Sequence, residues 1–317
     1  MATILVTGAA GFIGSHTTDL LLAEGHRVVG VDNFRTGRRE NLTGASRQSG
    51  FEFHELDVAV PGALAGLVAR SRPEAIIHLA ALVSVQESIA NPELNFVLNV
   101  QATQLVAEAA RLHQVRRIVF ASSAALYGDT ADLPVREGAV KRPVSPYGAA
   151  KLASEDLLLG HAATYGLTVR CQRYFNVFGP RQDPSSPYSG VISIFARRYA
   201  EGKPVMIFGD GQQTRDFIAV RDVARANLLA ATRPGLASGA ANICTGRSTS
   251  LLDLAAVFGR HHPGVPGPLH APARAGDIVH SLGAPDVAAA ELGFNARTTV
   301  ADGLAELAGT PAHALSS

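Results

Sequence analysis

Tyr147 and Lys151 stand four residues apart in the run Ser145-Pro146-Tyr147-Gly148-Ala149-Ala150-Lys151, so a helix there stacks an ammonium beneath a phenol. A free tyrosine ionises near pH ~10 and accepts no proton at neutrality, but a fixed positive charge beside it favours the phenolate. Lowering its pKa by about 3 units takes roughly 4 kcal/mol of differential interaction. One lysine together with a cationic cofactor ring can supply that much. A Tyr-x-x-x-Lys pair also occurs on solvated helix faces, so its meaning depends on the rest of the chain.

Upstream, Ile4-Leu5-Val6 reads as a short buried strand, followed by Thr7-Gly8-Ala9-Ala10-Gly11-Phe12-Ile13-Gly14 and an apolar-periodic helix to Glu24. In a strand-turn-helix context, glycines at 8, 11 and 14 let backbone approach a pyrophosphate and let helix pack on sheet. The helix N-terminus at Phe12 and Ile13 offers unpaired N–H groups to the anion. The spacing is G-x-x-G-x-x-G, and a glycine triplet alone is no more than a tight turn. A second strand, Arg27 to Val31, ends at Asp32, close to where a carboxylate takes the ribose hydroxyls of a dinucleotide. It would accept from the 2′-OH of NAD and repel the 2′-phosphate of NADP, so NAD is the cofactor expected. Arg35 and the Arg38-Arg39 pair are read as a solvated basic loop rather than a phosphate clamp.

The 317 residues, 47% of them hydrophobic, suffice for a large core and two domains. A net charge of +1 without a basic run argues against nucleic acid as a partner, because neutralising phosphates takes clustered Lys and Arg. No apolar stretch approaches the ~18 residues of a membrane span and no leader pattern is present, so a cytoplasmic protein without a membrane partner is expected. Cys171 and Cys244 read as buried thiols in strand-like runs. The eleven histidines show no ligand spacing, and no metal is expected.

Strand-like segments recur at Phe51 to Leu56, Ala75 to Leu79, Arg117 to Ala121 and Thr168 to Tyr174, separated by helical patterns at 62–70, 91–112 and 147–165. This alternation predicts an α/β fold with a doubly wound parallel sheet of the Rossmann kind. In the 91–112 helix, Asn91 stands as cap before Pro92, and Leu94, Leu98, Leu105, Ala109 and Leu112 fall on one face. After residue 174, Gly179-Pro180, Pro184, Pro187 and Gly209-Asp210-Gly211 mark loops between short elements. The expected division is a dinucleotide-binding domain over 1–173 and a smaller C-terminal substrate-binding domain over 174–317. A strand near 242–244 is expected to rejoin the main sheet.

In order, Thr7-Gly8-x-x-Gly11-x-x-Gly14, Asp32, Asp57-Val58, His78-Leu79-Ala80-Ala81, Ser122-Ser123-Ala124-Ala125-Leu126-Tyr127-Gly128 and the Tyr147/Lys151 pair resemble the extended short-chain dehydrogenase/reductases. Within that family they resemble the NAD-dependent nucleotide-sugar epimerases of the UDP-glucose 4-epimerase type, from residue 4 to about 281. The resemblance implies that Ser123 is the catalytic serine, Tyr147 the base, and Lys151 both its pKa modulator and a ribose ligand. The residue types suit that chemistry: taking hydride from C4′ of a sugar requires removal of the hydroxyl proton, with a serine to hold the oxygen. The alternative reading of Ser123 is a strand-end turn hydroxyl. Asn33, Asp57, Val58, Leu79, Ala80, Ala81, Asn99 and Tyr174 are implied as further cofactor contacts, although Asn99 also reads as a polar residue satisfied inside its helix.

For the substrate, the resemblance puts Asn176 at a phosphate, Val191 in the nucleotide pocket, Phe208 on uracil, Arg215 and Arg274 on the diphosphate, and Asp277 on the uridine ribose. Two guanidinium forks suit a bis-anionic diphosphate. Ser84 and Ser281 are implied beside the sugar's 2′ substituent, where small residues leave room for an N-acetyl group. Ala124 and Ala125 stand where 4,6-dehydratases carry an Asp-Glu pair, which leaves 4-epimerisation of a UDP-sugar. The alternatives are a UDP-glucuronate 4-epimerase, for which only Arg181 could meet the carboxylate, and a nucleotide-4-ketosugar reductase. Outside enzymes, the alternative is an NAD-sensing regulatory protein, in which Tyr-x-x-x-Lys is typically lost. The family also implies a homodimer through helices 91–112 and 147–165, with Phe96, Val106 and Leu157 to Leu159 beyond a single core-facing stripe, although burial inside one subunit is the alternative for them.

Overall fold

The structure, a computed structural model, describes residues 1–183, 190–273 and 278–308. Strands and helices alternate first as β1 (Thr3–Thr7), α1 (Phe12–Ala23), β2 (Arg27–Asp32), β3 (Phe51–Glu55), α2 (Ala63–Ser71), β4 (Ala75–His78), α3 (Val85–Ala90), α4 (Pro92–Asn95), α5 (Ala102–Leu112), β5 (Arg117–Ser123), α6 (Pro146–Tyr165) and β6 (Thr168–Tyr174). Shorter elements follow: β7 (Asn176–Phe178), α7 (Val191–Ala200), β8 (Met206–Phe208), β9 (Thr214–Arg215), β10 (Phe217–Ala219), α8 (Val220–Thr232), β11 (Gly239–Ile243), β12 (Thr249–Ser250), α9 (Leu251–His261), β13 (Leu269–Ala271) and α10 (Val300–Ala308).

Seven strands form one parallel sheet in the order β11-β6-β5-β4-β1-β2-β3. Apolar runs such as Ile4-Leu5-Val6 suit strands covered on both faces, and both faces are covered here. On one, Leu21 and Leu22 of α1 pack with Val223, Ala226 and Ala230 of α8 and with Ala288 and Leu292. On the other lie Leu64, Leu67 and Val68 of α2, Val106 and Ala110 of α5, and Leu158 of α6. The chain's return to the sheet is therefore broader than one strand near 242–244. It brings α8, residues 288–292 and β11, and β11 begins at Gly239. A separate cluster, with Phe195, Tyr199, Phe217 and Phe258 among its members, underlies the short elements after β6.

Strand order reverses between β1 and β4, so the connections leaving their carboxyl ends diverge and open a crevice. The ends of β2, β5 and β6 border the same edge, which brings residues far apart in sequence to one place. α6 enters there through a strong start signal: the Ser145 hydroxyl accepts from Gly148 N at 3.1 Å and Pro146 takes the first helical position. Gly166, at φ +74°, ends the helix in the left-handed conformation that glycine adopts most readily.

The expected 91–112 helix is interrupted by a π-helical segment at Phe96–Gln101. A π-turn inserts a residue and rotates the downstream residues by about 100° relative to a straight helix. The buried face of α5 is Ala102, Thr103, Val106, Ala107, Ala109 and Ala110, so Ala109 is on it as expected, while Leu112, also expected on the core stripe, is 57% exposed. Asn91 precedes Pro92 as expected, but its side chain caps nothing. Among the described residues no helix is long and apolar enough to cross a membrane.

Candidate active site

A cavity of about 710 Å3 occupies the crevice, within the range of small-molecule and cofactor sites. Its wall includes Gly8, Gly11, Phe12, Ile13 and Gly14 after β1, Asp32 and Asn33 after β2, and Asp57 and Val58 after β3. Leu79, Ala80 and Ala81 after β4, Ser123, Tyr147, Lys151 and Tyr174 complete the expected set, with the exception of Asn99.

The glycine loop fits a diphosphate. Gly11 caps α1 with no side-chain hydrogen bond, leaving the first-turn N–H groups facing the cavity. Gly14 also serves packing, because a Cβ there would lie 1.9 Å from the Gly8 carbonyl oxygen. Asp32 is buried and accepts from Ala10 N at 3.0 Å and Phe34 N at 2.8 Å. Burial raises its pKa, and these backbone donors oppose the shift. A carboxylate has about four acceptor sites, so it retains capacity for ribose hydroxyls. The Asp57 carboxylate takes Asn33 Nδ2 at 3.0 Å and Ala59 N at 2.8 Å, which fixes the turn beside Val58.

The loop after β4 is pinned by Thr7, whose hydroxyl oxygen accepts from Leu79 N and Ala80 N at 3.2 Å. Thr7 Oγ1 also lies 2.8 Å from His78 Nδ1, His78 Nε2 lies 3.2 Å from Thr103 Oγ1, and Thr103 donates to the Asn99 carbonyl at 2.6 Å. The network is satisfied if Thr7 donates to Nδ1 and Nε2–H donates to Thr103, which makes His78 neutral. Burial agrees, pushing its pKa down to about 3 with help from the charge on Lys151.

Tyr147 is placed by contacts before its own helix turn: its N–H donates to Ser88 Oγ at 3.1 Å, and Asn95 Nδ2 donates to the Pro146 carbonyl at 3.1 Å. Ser123, at the end of β5, accepts from Ala125 N at 3.2 Å and lines the cavity with Tyr147, whose pKa its hydroxyl acts to lower. Lys151 is 3% exposed; its Nζ donates to the Ala121 carbonyl at 2.8 Å and lies 5.8 Å from the centre of the Tyr147 ring. The expected depression of the Tyr147 pKa is not found. Burial raises it, the Ser123 hydroxyl opposes that shift, and burial also brings Lys151 down to about 7. The spacing read from the sequence gives proximity, but the same enclosure removes the water that stabilises both charges.

Asn99, expected at the cofactor, is 2% exposed and turned into the protein, donating to the Leu82 carbonyl at 3.0 Å and to Asn95 Oδ1 at 2.8 Å. Ser84 caps α3 by accepting from Glu87 N at 2.9 Å, and its neighbour Val83 lines the cavity. Asn176, Val191, Phe208, Arg215 and Ser281 also lie outside the cavity lining, which takes Phe175, Val177 and Gly190 from that side. All of them but Val191 are tied by hydrogen bonds to neighbouring residues. Asn176 N–H donates to the Asp216 carbonyl at 3.0 Å, Arg215 Nη1 to that of Val279 at 3.3 Å, Ser281 N–H to that of Thr214 at 3.1 Å, and Gln213 Nε2 to that of Phe208 at 2.7 Å. Arg274 and Asp277 lie outside the described residues.

Several lining residues went unread in the sequence, Gln182 and Asn41 among them. The loop arginines are engaged with carboxylates: Arg35 with Glu87 at 2.5 Å, Arg38 with Asp183 at 2.9 Å and Arg39 with Glu55 at 2.5 Å. Such long-range pairs have no local signature. Among the described residues no group of His, Cys, Asp and Glu could hold a metal ion.

Residues 4–244 match the model of the NAD dependent epimerase/dehydratase family. Over 303 residues the chain is 40% identical to a UDP-glucose 4-epimerase of Mycolicibacterium smegmatis, spanning 95% of this chain and 96% of that protein. It is similar to the solved UDP-N-acetylglucosamine 4-epimerase of Methanobrevibacter ruminantium M1 in complex with UDP-N-acetylmuramic acid, with a TM-score of 0.91, 32% identity and 97% of each chain covered. It is also similar to the Thermus thermophilus UDP-glucose 4-epimerase in complex with NAD, with a TM-score of 0.86, 34% identity and coverage of 97% and 99%.

Proposed function

The chain belongs to the NAD dependent epimerase/dehydratase family with NAD as its cofactor, and from that premise we propose that it is a UDP-sugar 4-epimerase acting on UDP-glucose and UDP-galactose and on their 2-N-acetylated counterparts. The observation that carries the reaction type is the make-up of the cavity at Ser123 and Tyr147. Among the described residues its only carboxylates are Asp32, Asp57 and Asp183. The first two hold backbone amides and the third pairs with Arg38. A phenol, a hydroxyl and a buried amine can oxidise and reduce one carbinol, but they offer no second acid–base pair for dehydration.

When bound, NAD supplies a nicotinamide that takes hydride from C4′ and returns it, and its positive charge adds to that of Lys151 beside the phenol. Tyr147 takes the C4′ hydroxyl proton, and Ser123, beside it in the cavity, holds the same oxygen as it becomes a carbonyl. Once the 4-keto sugar has turned in the pocket, Tyr147 would return the proton to the C4′ oxygen. The glycine loop and Asp32 orient the cofactor, while Lys151 remains beneath the phenol.

The N-acetylated substrates are proposed from Ser281, a small residue next to the bridge between Thr214 and His280, and from the name of the Methanobrevibacter relative. A uronic acid is disfavoured because Arg181, the one candidate for its carboxylate, pairs with Asp19 at 2.8 Å. Incubation with UDP-glucose, UDP-N-acetylglucosamine and UDP-glucuronic acid in turn should give C4′ inversion of the first two. Ser281→Tyr should suppress only the acetylated pair, since a steric wall rejects the larger ligand and leaves the hydride machinery intact. Wild-type turnover of UDP-glucose with none of UDP-N-acetylglucosamine at millimolar concentration would remove Ser281 as the gate.

A further inference from the structure

We infer that Glu155, held by Arg173, is the positioning residue that sets Ser123 against Tyr147; the inference rests on the function proposed above. Tyr147, Lys151 and Glu155 stand at i, i+4 and i+8 of α6 and share one face. That face clasps three consecutive residues of β5. Lys151 Nζ donates to the Ala121 carbonyl at 2.8 Å, the Ser122 hydroxyl donates to Glu155 Oε2 at 2.8 Å, and Ser123 lines the cavity beside Tyr147. Arg173, on β6, gives Nε to Glu155 Oε2 at 3.2 Å and Nη2 to Oε1. Its Nη1 donates to the Tyr127 hydroxyl at 2.8 Å and to the Glu137 carbonyl at 2.9 Å. Ser122 and Tyr127, the two ends of the turn that carries Ser123, are therefore pinned to one buried ion pair.

The pair is enclosed, with Glu155 1% and Arg173 3% exposed. Desolvating two charges costs several kcal/mol per ion, and apolar residues of similar volume often hold a fold as well or better. Stability alone does not account for a pair at this place. Placement of the serine hydroxyl does, because an error of about 1 Å in a reacting group costs on the order of 100-fold in rate.

Replacing the pair as a unit tests this. E155L/R173M removes both charges and the acceptor for Ser122, whereas E155Q/R173M restores an acceptor alone. With the UDP-sugar that wild-type protein epimerises, E155L/R173M should keep its NAD, its melting temperature and a KM within about threefold, and lose kcat by about 10–100-fold. E155Q/R173M should regain about tenfold of that loss. Wild-type kcat in E155L/R173M, or the same loss in both double variants, overturns the inference. Should E155L/R173M not fold, S122A leaves the ion pair intact and must lower kcat about tenfold at an unchanged melting temperature; an unchanged kcat overturns the inference equally. If wild-type protein turns over no UDP-sugar, the proposed function fails. The inference is then read from a crystal structure of E155L/R173M: Ser123 moved out of hydrogen-bond reach of Tyr147 supports it, and an unmoved Ser123 overturns it.

Discussion

Tyr147 sits where burial holds its proton on, although its task is to accept one. Its reactivity depends on positive charge gathered around the phenol, part from Lys151 and part brought in with the cofactor. Turnover should therefore climb with pH as the phenol ionises. Tyr147→Phe keeps the ring's packing and removes only the acceptor, so it should lower kcat about 10²–10⁴-fold, abolish the climb and leave NAD bound. Measuring kcat against pH, with absorbance for bound cofactor, checks all three; activity within a few-fold of wild type would remove Tyr147 from the mechanism. The Tyr-x-x-x-Lys spacing and the order of motifs made Ser123, Tyr147 and Lys151 legible in the sequence. Their electrostatic state was not, because desolvation belongs to the enclosure that the whole fold makes. Glu155 was illegible for a related reason: a charge on a helix ordinarily reads as solvent-facing, and its partner Arg173 comes from another element.

Among elements, the first six strands of the parallel sheet were read nearly to their ends because apolar runs between glycine turns leave few alternatives. The 91–112 helix was read as one regular piece, since a π-turn changes hydrogen bonding without changing composition. The inserted residue then turned Leu112 out of the buried stripe and brought in Thr103, Val106 and Ala110, while Ala109 stayed in it. The contact of α1 with the glycine loop gives a test at this scale. Gly14→Ala would put a Cβ 1.9 Å from the Gly8 carbonyl oxygen and 3.1 Å from Ala9 Cα, so α1 must shift from the loop. It should cost about 1–3 kcal/mol of stability, as overpacking does, and release NAD. Gly160→Ala, where a Cβ meets nothing within 4 Å, serves as the control. It should be stabilising by roughly 0.5–1 kcal/mol in a helix interior. Denaturant melts and bound-NAD absorbance check both, and wild-type cofactor retention in Gly14→Ala would contradict this account of the loop.

For the whole molecule, part of the expected dimer surface has to be redrawn. Val106 and Leu158 are fully buried in this chain's own core, and Leu157 and Leu159 pack against it. Phe96 remains 56% exposed, with Val85 and Ile89 of α3 exposed nearby in sequence, the kind of apolar surface that a second copy covers. A homodimer through residues 91–112 and α6 remains a proposal. Sedimentation should give a dimer for wild type and a monomer for Phe96→Glu; a concentration-independent wild-type monomer would contradict it. The central claim concerns the hydrogen on C4′, which must leave as hydride and return within one active site. It is tested most directly with UDP-glucose carrying deuterium at C4′, incubated with purified protein and no added cofactor. UDP-galactose retaining the deuterium at C4′ is the result expected; loss of the label to solvent, or inversion only while added NAD is consumed, would contradict the account.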